Sequence, residues 1–323
     1  MNPLKLFTLT LMAGVAPPAD AFSFEWTDTK GEYLDLKHGS RNIARYVYET
    51  IDESTPERRE ATYKPFCHVY HWYSKDQFIT KGPGGKFTHH RGIFYGFSKT
   101  SYTDRDGKKH EKIDTWHCRR GHLVHREFVD KTAGEDSASF TSLIDWVGDD
   151  GKGFAEEKRI MTFSMEGSDI VVDFQSTLTP TVPEMRVDGD PQHAGFQFRA
   201  HNNVHDEHKN ATYYIRPETG IGADGETINW SAKLDNKRTR DLPWKAMCFT
   251  VHDKRYTVSY LDHPDNPKPA RYSERDYGRF GSYFATDIIP EKPLTVNYRL
   301  VIHQGEFEAE EVAKQSEAFL SEE

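Results

Sequence analysis

Short stretches in which apolar and polar residues alternate, separated by turn residues, recur along almost the whole chain. Between positions 22 and 48 the alternation runs through Phe24 and Trp26, then Tyr33, Asp35 and Lys37, then Ile43, Arg45 and Val47. A period of two puts successive side chains on opposite faces, so these segments predict edge or half-buried strands. Further strands are predicted at 63–72, 92–97, 121–128, 139–146, 155–163, 169–178, 195–199, 211–215, 246–250, 257–261 and 294–303. Turn residues punctuate them at Asp104-Arg105-Asp106-Gly107, 148–153, Glu166-Gly167, Asp188-Gly189-Asp190-Pro191 and Ala223-Asp224-Gly225. Many short strands with such turns predict an all-β chain, a large antiparallel β-sandwich or a barrel. Helical spacing predicts one helix, at about 308–320, with acidic residues in its first turn and Val312, Ala313, Phe319 and Leu320 as apolar positions. No repeat or linker breaks the pattern, so residues 22–323 read as one domain.

Composition sharpens this picture. Mean hydropathy is −0.78 and apolar residues make up only 36% of the chain, yet aromatic residues reach 13%. The core must therefore draw heavily on Phe, Tyr and Trp, which bury large areas each. A net charge of −9 without a basic patch argues against a nucleic-acid surface. Lys5, an apolar run over 6–16 and Ala19-Asp20-Ala21 have the form of a signal peptide ending near residue 21, which predicts a secreted or periplasmic protein. No later run approaches the roughly 20 apolar residues of a membrane span. Cys67, Cys118 and Cys248 allow at most one internal disulfide; Cys67–Cys118 and three buried thiols are the two expectations.

Candidate chemistry centres on Phe87-Thr88-His89-His90-Arg91-Gly92, which follows the loop Gly82-Pro83-Gly84-Gly85. Strand alternation would give His89 and Arg91 one face and His90 the other, unless the turn breaks it. Four more segments mix histidine or arginine with aromatics and turns. They hold His68, Tyr70, His71 and Trp72; Asp114, Trp116 and His117; His193, Gln197 and Arg199; and His263, Asn266 and Tyr277. Singly, each suits a surface network or a turn. Together they predict a cleft with aromatic platforms and fixed donors, suited to a sugar. Glu157 and Arg159 fall on one strand face, where the arginine would keep the carboxylate ionised, either for catalysis or as a structural ion pair.

The catalytic candidates are thus His89, His90, Arg91, His193 and Glu157. The substrate-binding candidates are Tyr70, Trp116, Arg159, Arg199, His263, Asn266 and Tyr277. No cofactor motif is evident. A divalent metal is a possible partner, through His201 and His205 if that stretch is helical, or through His68, His89 or His90 with Glu157. The residues between and after His201 and His205 have loop character. Without two clearly paired carboxylates, a conventional two-carboxylate glycosidase is not favoured.

Several of these motifs, in this order, resemble a bacterial family labelled PmoA-like or "methane oxygenase". They are Lys64-Pro65-Phe66, Thr88-His89-His90-Arg91-Gly92, Asp114-x-Trp116, Glu157-x-Arg159, His193-x-Gly195-x-x-x-Arg199 and Asp262-His263-Pro264-x-Asn266-Pro267, and the likeness extends over about residues 30–310. The family pattern commonly reads His-Pro-His-His-Arg-Gly; here Phe87-Thr88 precede the pair, so one histidine is missing. The methane monooxygenase subunit of that name is a multi-span membrane protein, and the lack of any long apolar run sets methane oxidation aside. The resemblance implies a galactose-mutarotase-type β-supersandwich in bacteria that degrade polysaccharides, and hence carbohydrate-active chemistry. The expectations are a glycoside hydrolase or lyase, a sugar epimerase, a metal-dependent enzyme or a non-catalytic carbohydrate-binding protein.

Overall fold

The computed structural model describes residues 22–72, 74–190, 192–231 and 238–322; the predicted signal segment lies outside them. Two large sheets face each other across an aromatic core. Among the described residues the first sheet has nine strands, in the order Phe24–Thr29, Tyr33–His38, Arg41–Val47, Phe66–Val69, Ile93–Phe97, Ala194–Arg199, Arg279–Tyr283, Arg271–Arg275 and Ile228–Asn229. The second also has nine: Gly220–Ile221, Tyr213–Arg216, Trp244–Val251, Lys254–Asp262, Leu294–His303, Asp169–Pro180, Gly153–Glu166, Ser137–Gly148 and Gly121–Ala133. Pairing is antiparallel throughout, as expected for strands joined by short turns. The expected antiparallel sandwich is thus what the chain forms.

Alternation explains which residues meet. In Ile93–Phe97, Ile93, Tyr95 and Phe97 point into the core, whereas Phe94 points outward to Phe66 and Trp116. Across the core Phe174 stacks on Phe196 at 4.3 Å and Phe196 on Tyr298 at 4.9 Å, so rings supply the burial that the modest aliphatic content does not. The C-terminal helix, Ala309–Ser321, is one residue off its predicted span. Glu308 and Glu311 form its capping box, and Val312 packs it on the outer face of the second sheet beside Val171, Trp244, Leu261 and Val301. No helix among the described residues is long and apolar enough to cross a membrane.

Several sequence expectations need correction. Pro56–Thr62 is a second helix, entered through Thr55, whose hydroxyl accepts from the Arg58 N–H. Thr-Pro-Glu at its start was a legible signal. A four-stranded sheet of Thr286–Ile288, Glu184–Val187, Thr100–Thr103 and Lys109–Ile113 escaped prediction, because strands of three to five residues are too short for an alternation to stand out. Arg271–Arg275 and Arg279–Tyr283 were missed as well; both are buried and rich in Arg and Ser. All three cysteines are free and buried, so the Cys67–Cys118 disulfide is not formed. Cys67 faces the core, while Cys118 belongs to a loop on the opposite, outer side of the same sheet.

Glu157 and Arg159 share a face, as alternation requires, but that face is the interior. Glu157 accepts two hydrogen bonds from Arg159, at 2.8 and 3.0 Å, and one from Trp146 Nε1 at 3.0 Å. Both charged side chains are almost completely excluded from solvent. Replacing Glu157 by Gln strands the guanidinium in the core, and chemical denaturation of the variant should show a loss of about 3–5 kcal/mol. A loss under about 1 kcal/mol would mean that solvent already reaches the pair.

Candidate functional site

Three loops meet on the outer face of the first sheet and bring together His89, His117 and His193. His117 comes from the connection after Lys109–Ile113. Its loop lies so close to the sheet that a Cβ on Gly96 would stand 2.6 Å from the Thr115 carbonyl oxygen. Thr115 fastens this approach: its N–H donates to the Phe97 carbonyl and its hydroxyl accepts from the Phe97 N–H. His193 directly precedes Ala194–Arg199, whose second residue, Gly195, has φ +82° and packs against the Ser282 carbonyl. His89 sits in the 79–92 loop, which is tied to the sheet by the Lys81 N–H donating to the Arg199 carbonyl and the Gly92 N–H to that of Lys81.

Two of these histidines are held in the same way. Asp114 accepts the Trp116 and His117 N–H groups on Oδ1, and its Oδ2 lies 2.8 Å from His117 Nδ1. Asp190 accepts the Gln192 N–H on Oδ1, which also lies 2.9 Å from His193 Nδ1. Each aspartate thus closes a local turn and orients the imidazole three residues later. A carboxylate on Nδ1 favours the proton there and leaves Nε2 as the free lone pair. Burial works against the charge on Asp190, yet the His193 and Gln192 hydrogen bonds outweigh it and hold the carboxyl at about 2.

The rings are close. Centroids are 4.4 Å apart for His89 and His117, 4.8 Å for His117 and His193, and 5.7 Å for His89 and His193. One ring nitrogen from each of the three lies within 4.8 Å of the others. His90 stands beside them, its ring 4.2 Å from that of His89. The turn breaks strand alternation here, which is why the adjacent histidines stay together instead of facing apart. Burial, helped by neighbouring histidines and by Lys64 and Arg279, pushes His89 down to about 2, and burial with Arg279 pushes His90 well below its ordinary value. Both imidazoles are therefore neutral around pH 7. Two non-glycine residues in these loops, Phe87 and Cys118, adopt positive φ, and each lies within two positions of a cluster histidine. Such strain persists only where surrounding contacts enforce it.

Beneath the cluster, buried polar nitrogens gather without protein partners: both ring nitrogens of His90, His89 Nε2, Trp116 Nε1, Arg199 Nε and Nη2, and Arg279 Nε. Buried polar atoms normally find a partner, so this concentration marks a place for a polar ligand or ordered water. Phe87 and Tyr277, 4.7 Å apart and half-buried, offer ring faces at its edge.

The candidates predicted from sequence are thus divided. His89, His90 and His193 converge, with Arg199 and Tyr277 adjacent. Trp116 is also present, but it is fully buried against Phe66 and Phe94 and floors the site with covered faces. Arg91 turns away to donate to the Glu60, Ala61 and Thr88 carbonyls, pinning the end of the Pro56–Thr62 helix. Tyr70 bonds Asp35 and packs on Phe78. Glu157 and Arg159 are inside the sandwich, so a metal set joining Glu157 to His68, His89 or His90 is not formed. His263 packs against Phe319 of the C-terminal helix, and Asn266 donates to Asp262 and to the Asn297 carbonyl, both apart from the cluster. His201 precedes, and His205 lies within, a five-residue π-helical turn, Val204–His208, where a loop was expected. They still do not pair: His201 Nδ1 accepts the Asn203 N–H and His205 lies against Asp206.

Sequence reasoning placed Lys64, Asp114, His117 and Asp190 in its motif segments without assigning them a role in the site, and it missed Arg279. A signal existed for Asp114, His117 and Asp190, since Asp-x-x-His occurs both at 114–117 and at 190–193.

Fold and site together define an antiparallel β-sandwich with an aspartate-oriented histidine cluster on its outer face. The chain belongs to a family of unknown function, DUF6807, whose model matches residues 33–317 and carries no PmoA-like label. No curated protein matches it. Similar solved structures include a GH36 α-galactosidase of Geobacillus stearothermophilus (TM-score 0.44, 9% identity, covering 88% of this chain and 41% of that one). A galactose mutarotase-like protein of Clostridium acetobutylicum scores 0.43 at 9% identity, covering 88% and 99%. Another from Lactobacillus casei scores 0.40 at 9% identity, covering 87% and 100%. The chain therefore spans about two-fifths of the galactosidase, and likenesses this distant leave its chemistry to its own residues.

Lys64 offers a test of the site's environment. It is fully buried, donates to the Trp116 carbonyl and lies 4.5 Å from the Phe94 ring; burial pushes its ammonium from 10.5 down to about 7. Between pH 7 and 10.5 the unfolded chain therefore holds a proton that the folded chain has released, so this residue makes stability rise with pH. Lys64→Met removes that slope. The melting temperature of the variant relative to wild type should be highest at pH 7 and fall steadily towards pH 10; a constant difference would place the lysine in contact with water.

Proposed function

We propose that this protein is an exported carbohydrate-active enzyme that cleaves a glycosidic bond, by hydrolysis or elimination, in an oligosaccharide held over the histidine cluster. The observation that carries this reading is the pair of Asp–His dyads, Asp114–His117 and Asp190–His193, with rings 4.8 Å apart above a floor of unpaired buried nitrogens. Two imidazoles oriented from behind suit opposite proton transfers, one taking a proton and the other giving one to the leaving oxygen. In hydrolysis the abstracted proton comes from water; in elimination it comes from a carbon next to a sugar carboxylate, and an unsaturated fragment results. The unpaired nitrogens of His90, Trp116, Arg199 and Arg279 match a ligand rich in hydroxyl or carboxylate oxygens, and Phe87 and Tyr277 supply apolar faces for its rings.

The test is a product screen with neutral, uronic and oxidised oligosaccharides, read by mass spectrometry and by one-dimensional NMR. Cleavage is expected, with either a water added or an unsaturated fragment formed. His193→Ala should lower turnover by roughly a hundredfold or more while melting within a few degrees of wild type. Binding without any product would make the protein a carbohydrate-binding module, and an NMR change at constant mass would make it an epimerase.

A further inference from the structure

The same cluster has the form of a metal centre. We propose that His89, His117 and His193 bind one divalent transition-metal ion, zinc being the best chemical match, with a fourth position left open towards His90. Four observations support it. Three ring nitrogens from three separate loops converge within 4.8 Å of one another. Metal–imidazole bonds are about 2.0–2.1 Å, so binding asks the rings to close in by side-chain rotation.

Two of the three ligands already have the partners that metal-bound histidines use. Asp114 on His117 Nδ1 and Asp190 on His193 Nδ1 fix the tautomer and leave Nε2 as the lone pair for a metal. The third, His89, has a buried Nε2 with no protein partner. Finally, His90 is only 2% exposed and neither of its nitrogens has a protein partner, although its ring lies 4.2 Å from that of His89. A water on the open metal position would provide His90 with the hydrogen bond that the protein does not.

The donor set defines the ion. Three imidazoles without a carboxylate ligand suit zinc, copper, nickel, cobalt or iron and do not suit calcium or magnesium, which take oxygen ligands. Three protein ligands with an open position are the catalytic form of a zinc site, whereas structural zinc is closed by four. A bound ion would occupy the Nε2 lone pairs of His117 and His193, so with metal in place the proton transfers of the carbohydrate reading would fall to a metal-bound water and His90. In that form the catalytic role of the metal rests on the carbohydrate reading above. Its binding does not.

The experiment uses the full mature chain, stripped with chelator and titrated with zinc chloride and, separately, with cobalt chloride. Elemental analysis and the visible cobalt spectrum report uptake without any sugar present. One ion per chain is expected, with a tetrahedral cobalt spectrum. His117→Ala and His193→Ala should each reduce stoichiometry to a small fraction, while His122→Gln, at a histidine facing Arg59, should leave it unchanged. Asp114→Asn keeps all three ligands and should weaken affinity about 10–100-fold, so the inference does not depend on an alanine variant that fails to fold. Failure of the stripped wild type to take up either ion, or equal uptake by the histidine variants, overturns the proposal. Metal uptake without turnover on any sugar would uphold the metal site and refute the carbohydrate reading. Full cleavage by a stripped protein that takes up neither ion would do the reverse.

Discussion

The site depends on a short-range bond made twice: an aspartate side chain closes a turn on itself and holds the imidazole three residues further on. Asp114 and Asp190 each accept a backbone N–H from their own turn as well as facing an Nδ1, so turn geometry and ring orientation cannot change independently. Everything at the cluster follows from where those turns are laid. The absence of a side chain at Gly96 lets the first rest directly on the sheet, and the Thr115–Phe97 bonds keep it there.

Electrostatics divides the molecule's buried charges into two kinds. Inside the sandwich they are paired: Glu157 with Arg159, and Glu274 with Arg216 and Lys245. Such pairs cost much to desolvate and are tolerated because each charge finds its partner. On the outer face Lys64, Arg199 and Arg279 are buried with few carboxylates near them; Asp114, which acts on Lys64, is engaged with His117, and Asp206, which acts on Arg199, with His205. Burial and this cationic surround keep His89 and His90 neutral, the state in which an imidazole offers a lone pair. A fold that pairs its interior charges yet leaves several polar nitrogens unsatisfied at one place has built that place for something other than stability.

Much of the architecture was legible in the chain. Period-two alternation and recurrent turns identify the antiparallel sandwich, and first-turn acids with apolar spacing identify the C-terminal helix within a residue or so. The importance of His89, His90 and His193 was visible from their crowding with aromatics. The short strands were not, because four or five residues are too few to establish a period of two against the surrounding loops.

What alternation along a strand determines is relative direction: Glu157 and Arg159 had to point the same way. Whether that way was cleft or core depended on which side the second sheet covered, and only tertiary structure decides that. The same holds for Arg91, drawn to helix carbonyls some thirty residues away in sequence, and for His117, whose partners in the cluster come from distant loops. Local chemistry, the Asp-x-x-His turn included, is written in neighbouring residues because its hydrogen bonds span three positions. Convergence of these two turns with the His89 loop is set by sheet order and loop packing, which no single stretch of sequence contains.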